Sequence, residues 1–150
     1  MQDLKGRRAL VVGAGEGAGR EAALALAKAG MRLALADADA AALMRTAALT
    51  GRPLETLVLP ADIQSARGVD DIMRVLTGHF KGLDALVCCA GGAGALCRRA
   101  LALLAGAEDA MVVDMRGDAL SPGEAAERGV RWVRLAPEDA ANLADVLKAE

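Results

Sequence analysis

The sequence predicts an α/β fold: a doubly wound, mostly parallel sheet of six strands, with helices on both faces and a shortened C-terminal half. Three observations carry this expectation. Short apolar runs alternate with helix-forming segments along the whole chain, the pattern of a parallel sheet with crossover helices. Several of those runs are continuously apolar, which suits strands covered on both faces. Glycines cluster at the first expected strand-to-helix turn, where Gly13, Gly15, Gly17 and Gly19 lie within "VGAGEGAG".

The elements follow in order. "RALVVG" (8–13) is a buried strand, and "REAALALAKAG" (20–30) is a helix stopped by Gly30. "MRLALAD" (31–37) gives strand two, and a helix over 39–49 ends near Gly51. "LETLVLPAD" (54–62) carries strand three. Over about 65–78, Val69, Ile72, Met73, Leu76 and Phe80 recur at helical spacing and share one buried face. "LDALVCCAG" (83–91) is strand four. A helix over 95–105 leads to strand five in "DAMVVDM" (109–115). "SPGEAAERG" (121–129) has room for only a very short helix before strand six, "VRWVRL" (130–135). Pro137 starts a last helix through about 148, with Leu143, Val146 and Leu147 on its buried side.

The 150 residues are expected to form one domain. With 18 basic and 20 acidic residues the net charge is -2, so no basic excess favours nucleic acid. No apolar run reaches the length of a membrane span. "MQDLKGRR" lacks a secretory apolar stretch, and the expected setting is cytoplasmic. Cys88, Cys89 and Cys97 read as buried thiols. Their spacing does not match a structural zinc site, and the single histidine, His79, is expected to face solvent.

The glycine cluster can be read in two registers. Gly13, Gly15 and Ala18 satisfy one dinucleotide fingerprint, while Gly13, Gly17 and Gly19 form a wider GxxxGxG. In either register, missing side chains let the backbone approach a pyrophosphate, and free N–H groups at a helix start bond its oxygens. The context fits: a strand precedes, a helix follows, and an acid, Asp37, ends strand two. Asp37 can accept from an adenosine ribose and would repel a 2′-phosphate, so NAD is expected over NADP. Glu16 adds to that bias. The alternative for Asp37 is a turn or helix-cap role.

Together with "PADIQ" (60–64), "LDALVCCAGG" (83–92) and "GVRWVRLAP" (129–137), these residues resemble the short-chain dehydrogenase/reductase family. The resemblance implies a Rossmann-like dinucleotide-binding domain over 1–150. It implies pyrophosphate at Gly13, Gly15, Glu16, Gly17, Ala18 and Gly19, ribose at Asp37, adenine beside Asp62 and Ile63, and a groove lined by Cys89, Ala90 and Gly91. In the family, strand four usually ends Asn-Asn-Ala-Gly; here Cys88 and Cys89 replace both amides, and thiols are poor substitutes for them.

The family also implies a catalytic serine after strand five and a tyrosine and lysine four residues apart on a long helix. This chain has no tyrosine. Ser121 comes too late, Lys148 lies outside any such pair, and no long helix fits before "GVRWV". No catalytic residue is therefore assigned. Asp114, Arg116 and Asp118 are expected to form a polar loop with local ion pairing, and Cys88 or Cys89 lacks a histidine partner to act as nucleophile.

Three functional readings remain open. One is an NAD(H)-binding, dehydrogenase-like protein without standard turnover, regulatory or a partner subunit. The second is an atypical oxidoreductase completed by a partner. The third is a scaffold with a vestigial groove. A homo-oligomer fits the shortened later helices. Trp132 either anchors an interface or fills the core beneath the last helix.

Overall fold

The computed structural model describes residues 1 and 3–149. Six strands form one sheet: β1 (Arg8–Val12), β2 (Arg32–Asp37), β3 (Leu57–Pro60), β4 (Ala85–Cys88), β5 (Met111–Asp114) and β6 (Arg131–Arg134). Their order is β3-β2-β1-β4-β5-β6, and every pairing is parallel. The connecting helices are α1 (Gly17–Lys28), α2 (Ala40–Leu49), α3 (Ala66–His79), α4 (Gly94–Leu104), α5 (Pro122–Glu127) and α6 (Leu143–Lys148). The chain winds outward from β1 to β3, then crosses back to β4 and winds the other way. That reversal opens a crevice at the carboxyl ends of β1 and β4.

Side chains alternate across each strand, and this divides the core in two. Leu10, Val12, Leu86, Cys88 and Val112 meet α3, α4 and α5 on one face. Val11, Leu35, Val87, Val113 and Met111 meet α1, α2 and α6 on the other. The amino ends of β1 and β4 are tied by Asp84. Its carboxylate accepts from the Arg8 backbone N–H at 2.8 Å and from Arg8 Nε at 3.2 Å, with Arg7 at 3.5 Å. A buried acid is stable there because it is both hydrogen-bonded and paired.

Several expected boundaries shift. α1 starts at Gly17 rather than Arg20: its first turn holds two helix-weakening glycines, Gly17 for its left-handed backbone and Gly19 for close approach to the end of β1. Strand three shortens to Leu57–Pro60, with a 3-10 turn over Pro53–Glu55 before it. The last helix is split into a 3-10 segment, Pro137–Asn142, and α6. α2 and α3 are both capped by side chains: Asp39 accepts from the Ala42 N–H and Ser65 from the Gly68 N–H. His79 ends α3 and is exposed. Trp132 packs with the cluster beneath α4 and α5, not beneath α6, since register puts it on the opposite face from Val133.

Candidate functional site: the crevice at the β1 and β4 ends

Glycine geometry selects between the two registers. Gly13 has φ +86°, and a Cβ there would lie 2.8 Å from the Ala90 Cβ. Gly19 lies so close beneath the end of β1 that its Cβ would stand 1.8 Å from the Gly13 carbonyl oxygen. Gly17 has φ +59° with open space where a Cβ would be. Positions 13, 17 and 19 thus each require glycine for a different reason: strand-end contact, left-handed backbone and helix–strand contact. Gly15 has ordinary φ, although a Cβ would crowd the Asp37 carboxylate at 2.8 Å. Ala18 is half-buried and packs toward the α1-side core. The wider GxxxGxG pattern is the one the backbone uses.

Glu16 is the N-cap of α1, and its exposed side chain makes no cap bond. The first N–H groups of a helix have no intrahelical partner. Those of Gly17, Ala18 and Gly19 therefore face outward with positive dipole character, beside the open space at Gly17. Arg20 and Thr46 hold the loop from behind. Arg20 donates to the Gly15 carbonyl at 2.7 Å and to Thr46 Oγ1 at 3.1 Å, and the Thr46 hydroxyl donates to the Ala14 carbonyl at 2.8 Å. With these carbonyls drawn toward α2, the opposite side of the loop presents donors. Neither side chain stands out in the sequence, because their role depends on α2 packing against the loop.

Asp37 ends β2 half-buried beside the loop. Its Oδ2 accepts from the Gly15 N–H at 2.9 Å, while Oδ1 has only a long contact of 3.4 Å to the Asp39 N–H. A carboxylate offers about four acceptor positions, so Asp37 braces the loop and retains capacity for a further donor. The capping role belongs to Asp39, whose side chain accepts from Ala42.

At the end of β4, Ala90 meets Gly13 and closes the crevice floor. Asp62 is exposed, and its carboxylate accepts from the Gln64 N–H at 2.9 Å. Gln64 then reaches across to the Gly91 carbonyl at 3.4 Å. Ile63 turns its side chain into the core, so only its backbone faces the crevice. Cys89 is partly buried against Met115, Sγ to Sδ 3.6 Å. Burial first, then the negative charge of Asp114, pushes its thiol up to about 12. At neutral pH it is a protonated thiol, unsuited to nucleophilic work.

The loop after β5 differs from its expected form. Asp114 is fully buried and makes no ion pair with Arg116. Its carboxylate instead accepts from three backbone N–H groups: Arg116 at 3.0 Å, Gly117 at 2.7 Å and Ala119 at 3.3 Å. Those bonds wrap the loop around the carboxylate and make it a structural anchor. Arg116 extends to the crevice, where its guanidinium would lie 3.3 Å from a Cβ at Gly91. Ser121 is the N-cap of α5 in a complete capping box with Glu124. Its hydroxyl is committed there.

The sheet order and the open helix start at the strand reversal define a Rossmann-type fold of the dinucleotide-binding class. A family model for short chain dehydrogenases matches residues 7–117, and the chain belongs to that family, whose members bind nicotinamide cofactors. Solved structures agree. A short-chain dehydrogenase/reductase from Mycobacterium marinum is 25% identical with TM-score 0.68, over 75% of this chain and 54% of its own. This chain thus spans about half the length of that relative. A putative short-chain alcohol dehydrogenase from Sinorhizobium meliloti is 26% identical with TM-score 0.74, covering 89% and 72%. The Pseudomonas aeruginosa RhlG/NADP complex is alike in fold, with TM-score 0.82 at 20% identity, covering 98% and 90%. Curated protein sequences give no match. Among the described residues no helix is long and apolar enough to cross a membrane, and no group of three potential metal ligands occurs.

Proposed function

We propose that this chain binds NAD(H) and lacks the serine–tyrosine–lysine proton-transfer set of its family. One observation carries the binding half: an uncapped helix start at Glu16–Gly19, with left-handed Gly17 beneath open space. A pyrophosphate suits those donors. Asp37 would take the adenine-side ribose, Asp62 and the Ile63 backbone would flank adenine, and Cys89, Ala90 and Gly91 would border the nicotinamide half. When bound, the cofactor supplies hydride chemistry.

Proton transfer is the missing part. The chain has no tyrosine, Ser121 is a helix cap, and Asp114 is enclosed by backbone donors. The 150 residues therefore act as a dinucleotide-binding, regulatory or partner unit, and turnover would need groups from outside them. A specific observation favours the alternative, a scaffold with a vestigial groove: Gln64 and Arg116 both lie against Gly91 or Gly92.

Calorimetric titration with NADH and NADPH separates these readings. NADH should bind saturably and more tightly than NADPH. Asp37→Ala should weaken NADH about 10-fold or more, the worth of a charge-assisted hydrogen bond. Asp37→Asn should narrow the preference over NADPH by removing the carboxylate's repulsion. No binding of either dinucleotide by folded protein would favour the scaffold.

A further inference from the structure

Two of the three thiols face each other. Cys88 is the last residue of β4, and Cys97 lies in the first turn of α4. Their sulfurs are 2.8 Å apart, and both residues are fully buried in the same core cluster. A disulfide needs about 2.05 Å between sulfurs, so small side-chain rotations would bring them to bonding distance. Cys89 is excluded from this pairing by strand alternation. It packs with the opposite cluster, where its sulfur meets Met115.

We propose that Cys88 and Cys97 form a redox modification site, a disulfide that joins the end of β4 to the start of α4. The bond would close a short loop over residues 89–96. That loop holds Ala90, which packs on Gly13, and Gly91, which meets Gln64 and Arg116. Oxidation would hold this border of the crevice in one conformation, and reduction would release it. In the reaction each cysteine gives up one proton and one electron as the sulfur–sulfur bond forms. A small-molecule disulfide takes both electrons, its own bond breaks, and it leaves as two thiols with the two protons.

Access and acidity set the rate. The hydrogen bond with Cys97, and then burial, hold the Cys88 thiol well above its ordinary value. Since the thiolate is the attacking species, exchange is slow while α4 is docked and faster when its first turn opens. Oxidation during refolding bypasses that barrier.

The test is a thiol count on the full chain, treated with oxidised glutathione both folded and during refolding from denaturant. Free thiols are alkylated under denaturing conditions and located by mass spectrometry. The expected monomeric product of refolding carries one alkylated cysteine, Cys89, instead of three, and one cross-linked peptide containing Cys88 and Cys97. Cys89→Ser should keep the cross-link. Cys97→Ala should abolish it, and Cys88→Ala provides a second variant should that one not fold. Three free thiols after refolding, or a dominant pairing that uses Cys89, would overturn the proposal. The readout uses no dinucleotide, so it is independent of the binding assay.

Discussion

The two halves of the sheet treat their carboxyl ends differently. At the β1 and β2 ends, glycine removes side chains, and the exposed helix start is left without a cap. At the β5 and β6 ends, charged and polar groups occupy the space. Asp114 gathers three backbone donors, Ser121 and Glu124 cap α5, and the Arg134 guanidinium covers Gly117. The helices follow the same division: α1 and α3 run for 12 and 14 residues, but α5 and α6 for only 6 each. The start of α1 leaves its first donors without a side-chain partner, while the loop after β5 and the start of α5 satisfy theirs. The two edges are built from separate strands of one sheet, so one can change while the other is kept.

The largest expected effect falls on the first half. Gly19→Ala puts a methyl into the Gly13 carbonyl, and neither backbone segment can yield without moving β1 or α1. A loss of about 3 kcal/mol or more is expected, read as a lower urea midpoint. Gly17→Ala is the internal comparison. It meets no atom and incurs only the left-handed backbone cost, about 1 kcal/mol. Equal losses at the two positions would break the distinction between close approach and backbone conformation.

Asp114→Ala comes next. Removing the carboxylate strands the buried Ala119 N–H and frees the loop, at about 2 kcal/mol by urea unfolding. A neutral result would mean that this loop is not organised by its acid. The smallest effect is local. Backbone hydrogen bonding at Ser121 first, then Arg98, lowers the Glu124 carboxyl to about 2 from its ordinary 4.5. Its contribution to the cap is therefore complete above about pH 4.5 and is lost as pH falls through about 2. Hydrogen exchange should show α5 opening in acid before α1, and Ser121→Ala should open it already at neutral pH.

The first half was legible from sequence for a physical reason. Its strands are nearly pure apolar runs, and its turns are marked by Gly13, Gly30 and Gly51, all at positive φ. Asp37 was identifiable because it ends such a run. The start of α1 was not, since Gly17 and Gly19, needed for left-handed backbone and for close approach, look like helix breakers. Arg20 and Thr46 were hidden because their bonds cross between α1, α2 and the loop. Asp114 looked like a member of an ion-pairing loop, since local sequence shows the adjacent charges but not the backbone donors that fold around it. The Cys88–Cys97 contact likewise depends on how α4 docks on β4.

Amide chemical shifts followed during titration with NADH would show whether the dinucleotide lies along the β1 and β4 ends. Saturable shifts are expected at Gly15 to Gly19, Asp37, Asp62 and Cys89 to Gly91, with Arg131 to Arg134 and α6 unmoved. No shift at millimolar NADH, or shifts confined to the second half, would contradict that placement.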